Sequence, residues 1–126
     1  MADFSMNGTG GIACVTMPLD EATVKAIGKE YDSAKGKAVA LTSNNTVGYG
    51  SDGDPLFGVI RKAESDGCAT VQVSGFACDI TASAAAIGKV AAVDGAGGVK
   101  SAADGVIGRG YITSVDSAAS KADIIM

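Results

Sequence analysis

The balance among its large aliphatic residues restricts this chain more than any motif does. It carries 12 Val and 9 Ile but only 3 Leu. Branching at Cβ freezes a side chain against the preceding helical turn and suits a pleated strand, whereas Leu is the large apolar residue that helices accept most readily. The 18 glycines weaken helices further and supply turns. The expectation is an all-β fold, a small β-sandwich or barrel of about eight short antiparallel strands. A length of 126 residues suffices for one core and not for two.

Turn chemistry divides the chain. Residues 1–17 read as an N-terminal arm and short strand, and residues 18–126 as a single β domain. The arm holds the joints Asn7-Gly8 and Gly10-Gly11, and its β-like run from Ile12 to Met17 stops at Pro18. Asp20 is placed to cap a short helix over 21–30, with Val24 and Ile27 on one face. Strands are then expected over 37–42, 56–63, 68–80, 87–93, 99–102, 106–115 and 121–126. Asn44-Asn45, Glu64-Ser65-Asp66-Gly67, Asp94-Gly95-Ala96-Gly97-Gly98 and Asp104-Gly105 supply turns between them. Within 68–80, Gly75 predicts a bulge or bend, and Thr70, Gln72 and Ser74 face away from Val71 and Val73. The closing Ile124-Ile125-Met126 is too apolar to be left free and is expected to pair into the sheet.

The interior is made of small residues. There are 22 Ala, aromatics are 5% of the chain, and Trp is absent. Burial contributes roughly 25 cal/mol per Å² of apolar surface, so such a monomer gains most by covering further surface against copies of itself or a partner. Ten basic and fourteen acidic residues give a net charge of −4, spread along the chain. No basic patch exists to neutralise phosphates, which argues against nucleic acid and anionic membranes as partners. No stretch approaches the roughly 18 apolar residues of a membrane span. The start, Met1-Ala2-Asp3-Phe4-Ser5, lacks a basic and an apolar signal region, so synthesis in a cytoplasm without a membrane anchor is expected. Cys14, Cys68 and Cys78 are odd in number and form no C-x-x-C pair. They read as small buried hydrophobes in a reducing compartment.

Histidine is missing altogether. That removes the side chain most used for proton transfer near neutral pH, together with Ser-His-Asp and Cys-His catalysis and histidine-ligated metals. Gly48-Tyr49-Gly50-Ser51-Asp52-Gly53 matches G-x-G-x-x-G, but Pro55 and a β-like run follow it where a dinucleotide site needs a helix. It reads as a loop. Asp52 and Asp54 offer two carboxylates to a hard cation such as calcium, without the later Glu and further oxygen ligands such a site needs. Arg61 and Lys62 are adjacent on a strand and read as a solvated edge or a partner contact. No residue is assigned to catalysis, to a cofactor or to a metal.

One set of features has a family likeness. Lys37-Ala38-Val39-Ala40-Leu41 leads to Phe57-Gly58-Val59-Ile60 and a polar turn ending in Gly67. Ala69-Thr70-Val71-Gln72-Val73-Ser74-Gly75, Ile87-Gly88-Lys89-Val90 and Asp94-Gly95-Ala96-Gly97-Gly98-Val99 follow. Gly105-Val106-Ile107-Gly108-Arg109-Gly110-Tyr111 and Ala122-Asp123-Ile124-Ile125 complete the series. This order, from Lys35 to Met126, resembles the small capsid decoration (cementing) proteins of tailed bacteriophages. The N-terminal third matches less well.

The resemblance implies a compact β domain on the outer surface of an icosahedral head. Such a domain binds the major capsid protein after shell expansion, bridges neighbouring subunits and associates with copies of itself, most often as a trimer. It also implies a virion protein that is no enzyme. The arm then becomes the expected capsid contact, through Ala2, Asp3, Phe4, Ser5, Met6, Ile12, Val15 and Met17. The alternatives are another phage structural subunit, of the tail tube or the head–tail joint, and a small-ligand-binding β domain using the Gly48–Gly53 loop. A biotinyl or lipoyl carrier domain would need a Lys at a hairpin tip, and Asp94–Gly98 has none.

Overall fold

A computed structural model describes residues 12–126. Ten strands and one α-helix are present among them. In chain order they are β1 (Ala13–Pro18), α1 (Glu21–Ile27), a 3-10 turn (Tyr31–Ala34), β2 (Ala38–Ser43), β3 (Thr46–Gly48), β4 (Gly58–Ala63), β5 (Cys68–Ser74), β6 (Phe76–Thr81), β7 (Ala91–Val93), β8 (Val99–Ser101), β9 (Tyr111–Asp116) and β10 (Lys121–Ile125). The fold is all-β with one short helix, as composition predicts. The named strand pairs are all antiparallel, and they form a five-stranded sheet in the order β1-β5-β4-β2-β3, a three-stranded sheet β6-β10-β9 and a ribbon β7-β8. The sheets do not close into a barrel, although the five-stranded sheet curls until Leu19 bridges Val47.

Alternation along the strands of the large sheet feeds two cores. Ala38, Ala40 and Val59 enter the core shared with Ile80, Ile112 and Ile124 of the small sheet and with Val93 and Val99 of the ribbon. Val39, Ile60 and Val71 enter the other, which α1 and the 3-10 turn cover through Ile27 and Ala34. The centre of the large sheet, where β2, β4 and β5 run side by side, is thus covered on both faces, while β1 stays exposed. The small sheet is buried on one.

The turns are where the sequence signals predict them. Asn45 takes a positive φ of 50° between β2 and β3. The Asp94 carboxylate accepts hydrogen bonds from the backbone N–H groups of Ala96 (2.8 Å) and Gly98 (2.9 Å) and so closes the β7–β8 loop. At the C-terminus, Met126 and Gly75 exchange backbone hydrogen bonds, so the apolar tail is paired as expected.

Several expectations are corrected. The run 68–80 is two strands in two sheets, β5 and β6, and Gly75 (φ 90°) is the corner between them. Gln72 is not on a solvent face but fully buried, because both faces of β5 are covered. Its amide donates to the carbonyls of Ser74 (3.0 Å) and Phe76 (2.7 Å), and its oxygen accepts from Arg61 (3.0 Å), so it braces the corner. Residues 87–89 and 106–110 lie outside the strands, and β3 was not anticipated because it is only three residues long.

The helix stops at Ile27, where Gly28 turns out with φ 63°. Its buried residues are Thr23 and Ile27, while Val24 is exposed. The cause is a hydrogen bond from the Tyr49 N–H to the Thr23 hydroxyl (3.0 Å), which draws that face of α1 onto the loop after β3. The cysteines are not buried either: Cys14 and Cys78 are exposed and Cys68 is intermediate. Cys78 sits on β6, where alternation with the buried Ala77 turns it to solvent, and Cys14 sits on β1, whose residues Ala13 to Thr16 are all exposed.

Candidate functional site

The expected contact residues divide into two groups. Ala2, Asp3, Phe4, Ser5 and Met6 lie outside the described residues. Ile12, Val15 and Met17 do not. Val15 and Met17 are on β1, the outermost strand of the large sheet, with Ile12 just before it. The inner edge of β1 pairs with β5 from Ala13↔Ser74 to Pro18↔Cys68. Among the described residues β5 is the only strand it pairs with. Ile12 is 43% and Val15 40% exposed. Met17 turns back and packs against the helix-covered core. Ala13 to Met17 contains no charged residue.

Strands that end a sheet are commonly guarded by Lys, Pro, a bulge or a covering loop, because their free N–H and C=O groups template further pairing. On β1 that purpose is served by a register shift between Ala13 and Cys14, by Pro18, and by β3, which the Leu19–Val47 bridge brings against the Pro18 end, so the open part is the Ala13 end. The edge can take another strand through backbone hydrogen bonds, with Ile12 and Val15 available to pockets on a partner.

A second exposed feature was not visible in the sequence. Ile125 of β10 is in register with Phe76 of β6 on one side and Tyr111 of β9 on the other. Directly opposed residues point to the same face, so the three form one row across the outer face of the small sheet. Phe76 is 51% and Tyr111 54% exposed. No local pattern announces this row, since its members lie 14 and 35 positions apart and meet only through the β10 register.

Beside that row, the Cys78 thiol, though exposed, is pushed above its ordinary range by partial desolvation against the sheet and then by the Asp123 and Asp79 carboxylates, with Arg61 opposing. A thiol held protonated is a poor nucleophile.

The motif residues resolve into structural roles. The first glycine of Gly48–Gly53 lies under the Asp20 side chain, where a Cβ would collide with the carboxylate. Asp20 itself caps α1 by accepting from the Thr23 N–H (2.8 Å). Burial raises its pKa, but the hydrogen bonds from Thr23 and Thr42 outweigh that and hold it below the ordinary carboxylate range. Asp52 and Asp54 turn to different partners. Asp52 pairs with Lys100 at 3.0 Å, and Asp54 accepts from the Ser51 N–H at 2.9 Å. Among the described residues no group of three or more acidic or cysteine side chains converges as metal ligands would. Arg61 is occupied by Gln72, and Lys62 pairs with Glu64 at 3.4 Å.

No protein-family model, curated protein or solved structure matches this chain.

Proposed function

We propose that the chain is a structural virion protein that binds the outer surface of a phage capsid and cements it by bridging subunits of the major capsid protein. It acts by adhesion, without chemistry of its own, and as a homo-oligomer, most simply a trimer. Many copies on a symmetric shell turn modest individual contacts into firm retention.

One observation carries the reading: β1 ends its sheet with a chargeless, exposed edge that shows Ile12 and Val15 to solvent. An edge of that kind is a hazard unless a partner covers it. The order of strand and turn motifs from Lys35 onward supports the same reading. Strands of three to seven residues speak against a tail-tube subunit, which needs long hairpins to build a ring.

The test is retention on expanded, empty shells of tailed phage. The full-length protein should bind them and raise their disruption temperature. Deleting residues 2–11, or installing a guard charge by Val15→Lys, should lower occupancy. Unchanged occupancy in both variants would overturn attachment through the arm and edge, and failure of the full-length protein to bind any shell would overturn the function.

A further inference from the structure

The small sheet shows large apolar side chains to solvent at one end only. Phe76 opens β6, Tyr111 opens β9 and Ile125 closes β10, so their row lies at the end next to the Gly75 corner. Farther from the corner the exposed side chains of β6 and β9 turn polar, with Asp79, Thr113 and Ser114. Those polar groups have partners within the sheet. The Asp79 N–H donates to the Asp123 carboxylate (3.0 Å), and the Thr113 hydroxyl donates to the Asp123 carbonyl (3.2 Å). Neighbouring strands lie about 4.8 Å apart, which makes the row of three about 10 Å long.

The chain enters β1 beside this row. Ala13 pairs with Ser74, which precedes the Gly75 corner and Phe76. Summed along that path, Ile12 is within about 17 Å of Phe76. Residues 1–11, outside the described residues, lead into that point. Their sequence puts apolar side chains at alternate positions, Ala2, Phe4 and Met6, with Asp3 and Ser5 between them. In an extended chain alternate residues face one way and recur about every 7 Å, so these three give one apolar side about 13 Å long. That length suits the row. From Met6 to Ile12 the chain can span about 20 Å, enough to reach Phe76, and Gly8, Gly10 and Gly11 let it reverse there.

We infer that the chain's own segment Ala2–Met6 packs in extended form across the Phe76–Ile125–Tyr111 row, with the Phe4 ring and the Met6 thioether on the aromatic rings. Reach selects this occupant. The tether starts at the row's own end, so a short linker presents the segment at high effective concentration. A second copy offers the same side chains but bears the cost of association as well. Pattern agrees with reach: an alternating segment covers the row with one side and leaves Asp3 and Ser5 in water, and methionine sulfur packs well on aromatic rings. Burying Phe4 and Met6 is opposed by the entropy of ordering their backbone. Docked and open forms therefore coexist, and the segment is a cover on the row and no part of the core. The contact is made within one free chain, so it holds or fails independently of capsid binding.

The test compares the full-length protein with two full-length variants, the double substitution Phe4→Ser with Met6→Ser, and Phe76→Ser, by nuclear magnetic resonance at a high and a low protein concentration. In the wild type, Phe4 or Met6 protons should show Overhauser contacts to the Tyr111 ring. The double variant should lose them and shift the amides of Phe76, Tyr111 and Ile125. Reciprocally, Phe76→Ser should shift the amides of Phe4 and Met6. All of these differences should be the same at both concentrations. Absence of contacts to Tyr111 in the wild type overturns the inference, as do unchanged row amides in the folded double variant. Contacts that disappear on dilution would put a second copy's segment on the row and overturn it as well. No shell is present in these measurements, so their failure leaves retention on shells to be judged by its own test.

Discussion

The two main sheets use the same residue types for opposite ends. Both are antiparallel and rich in Val, Ile and Ala, yet the large sheet is sandwiched at its centre and the small one is half bare. In the large sheet Ile60 and Val39 face the helix-covered core while Val59 and Ala38 face the inter-sheet core, and all four are buried. In the small sheet Ile80, Ile112 and Ile124 are buried, but their neighbours Phe76, Tyr111 and Ile125 meet solvent. The large sheet therefore holds the fold together, and the small sheet lends it a surface. A chain with few aromatics places two of its largest apolar side chains where the fold gains least from them, which points to a use outside the fold.

The contrast breaks most sharply at Ile60. It is fully buried in β4, in the layer between the sheet and α1. Ile60→Ala should destabilise the protein by about 2–5 kcal/mol, the range for emptying a packed core site. Chemical denaturation would measure it. A loss below about 1 kcal/mol would mean that the layer collapses around the gap and that the large sheet is not what holds the fold together.

The helix that covers that layer depends on its cap. Asp20→Ala should cost about 1 kcal/mol at neutral pH. Because the folded pKa of Asp20 lies below its ordinary value of 3.8, its contribution is complete above that value and is lost as pH falls through the folded pKa. The gap between wild type and Asp20→Ala should therefore stay constant above pH 3.8 and narrow below it. A gap that widens on acidification would contradict the hydrogen bonding assigned to this carboxylate.

Much of this arrangement is legible in the sequence, and the unread part has a common cause. The β-branched excess, the turns at Asn44-Asn45 and Asp94–Gly98, and the Asp20 cap are local signals, and local physics decides them. Gly75 reads as a bend, but nothing local tells that the chain changes sheets there. Gln72 looks like a solvent residue among valines because its burial depends on what covers β5, and its partners include the next strand and Arg61 of β4. The cysteines fail for the same reason in reverse: alternation with the buried Ala77 turns Cys78 to solvent, and Cys14 sits on β1, whose residues Ala13 to Thr16 are all exposed. The exposure of Val15 on β1, and of Ile12 just before it, depends on that strand's position at the edge, and the Phe76–Ile125–Tyr111 row needs the register of three strands.

The smallest expected effect is the most informative about that row. Phe76 is 51% exposed, and its backbone carbonyl, not its side chain, takes the Gln72 amide. Phe76→Ser keeps that carbonyl and removes only the ring. Folding stability should change by less than about 0.5 kcal/mol, as for surface positions without special roles. If the ring served the fold, the loss would approach that of Ile60→Ala, and the distinction between a sheet that holds and a sheet that is shown would fail. If stability is unchanged while retention on expanded shells falls, the row is a working surface of the molecule. Measuring both quantities on the same variant separates these outcomes, because a destabilised protein loses both and a surface-impaired one loses only the second.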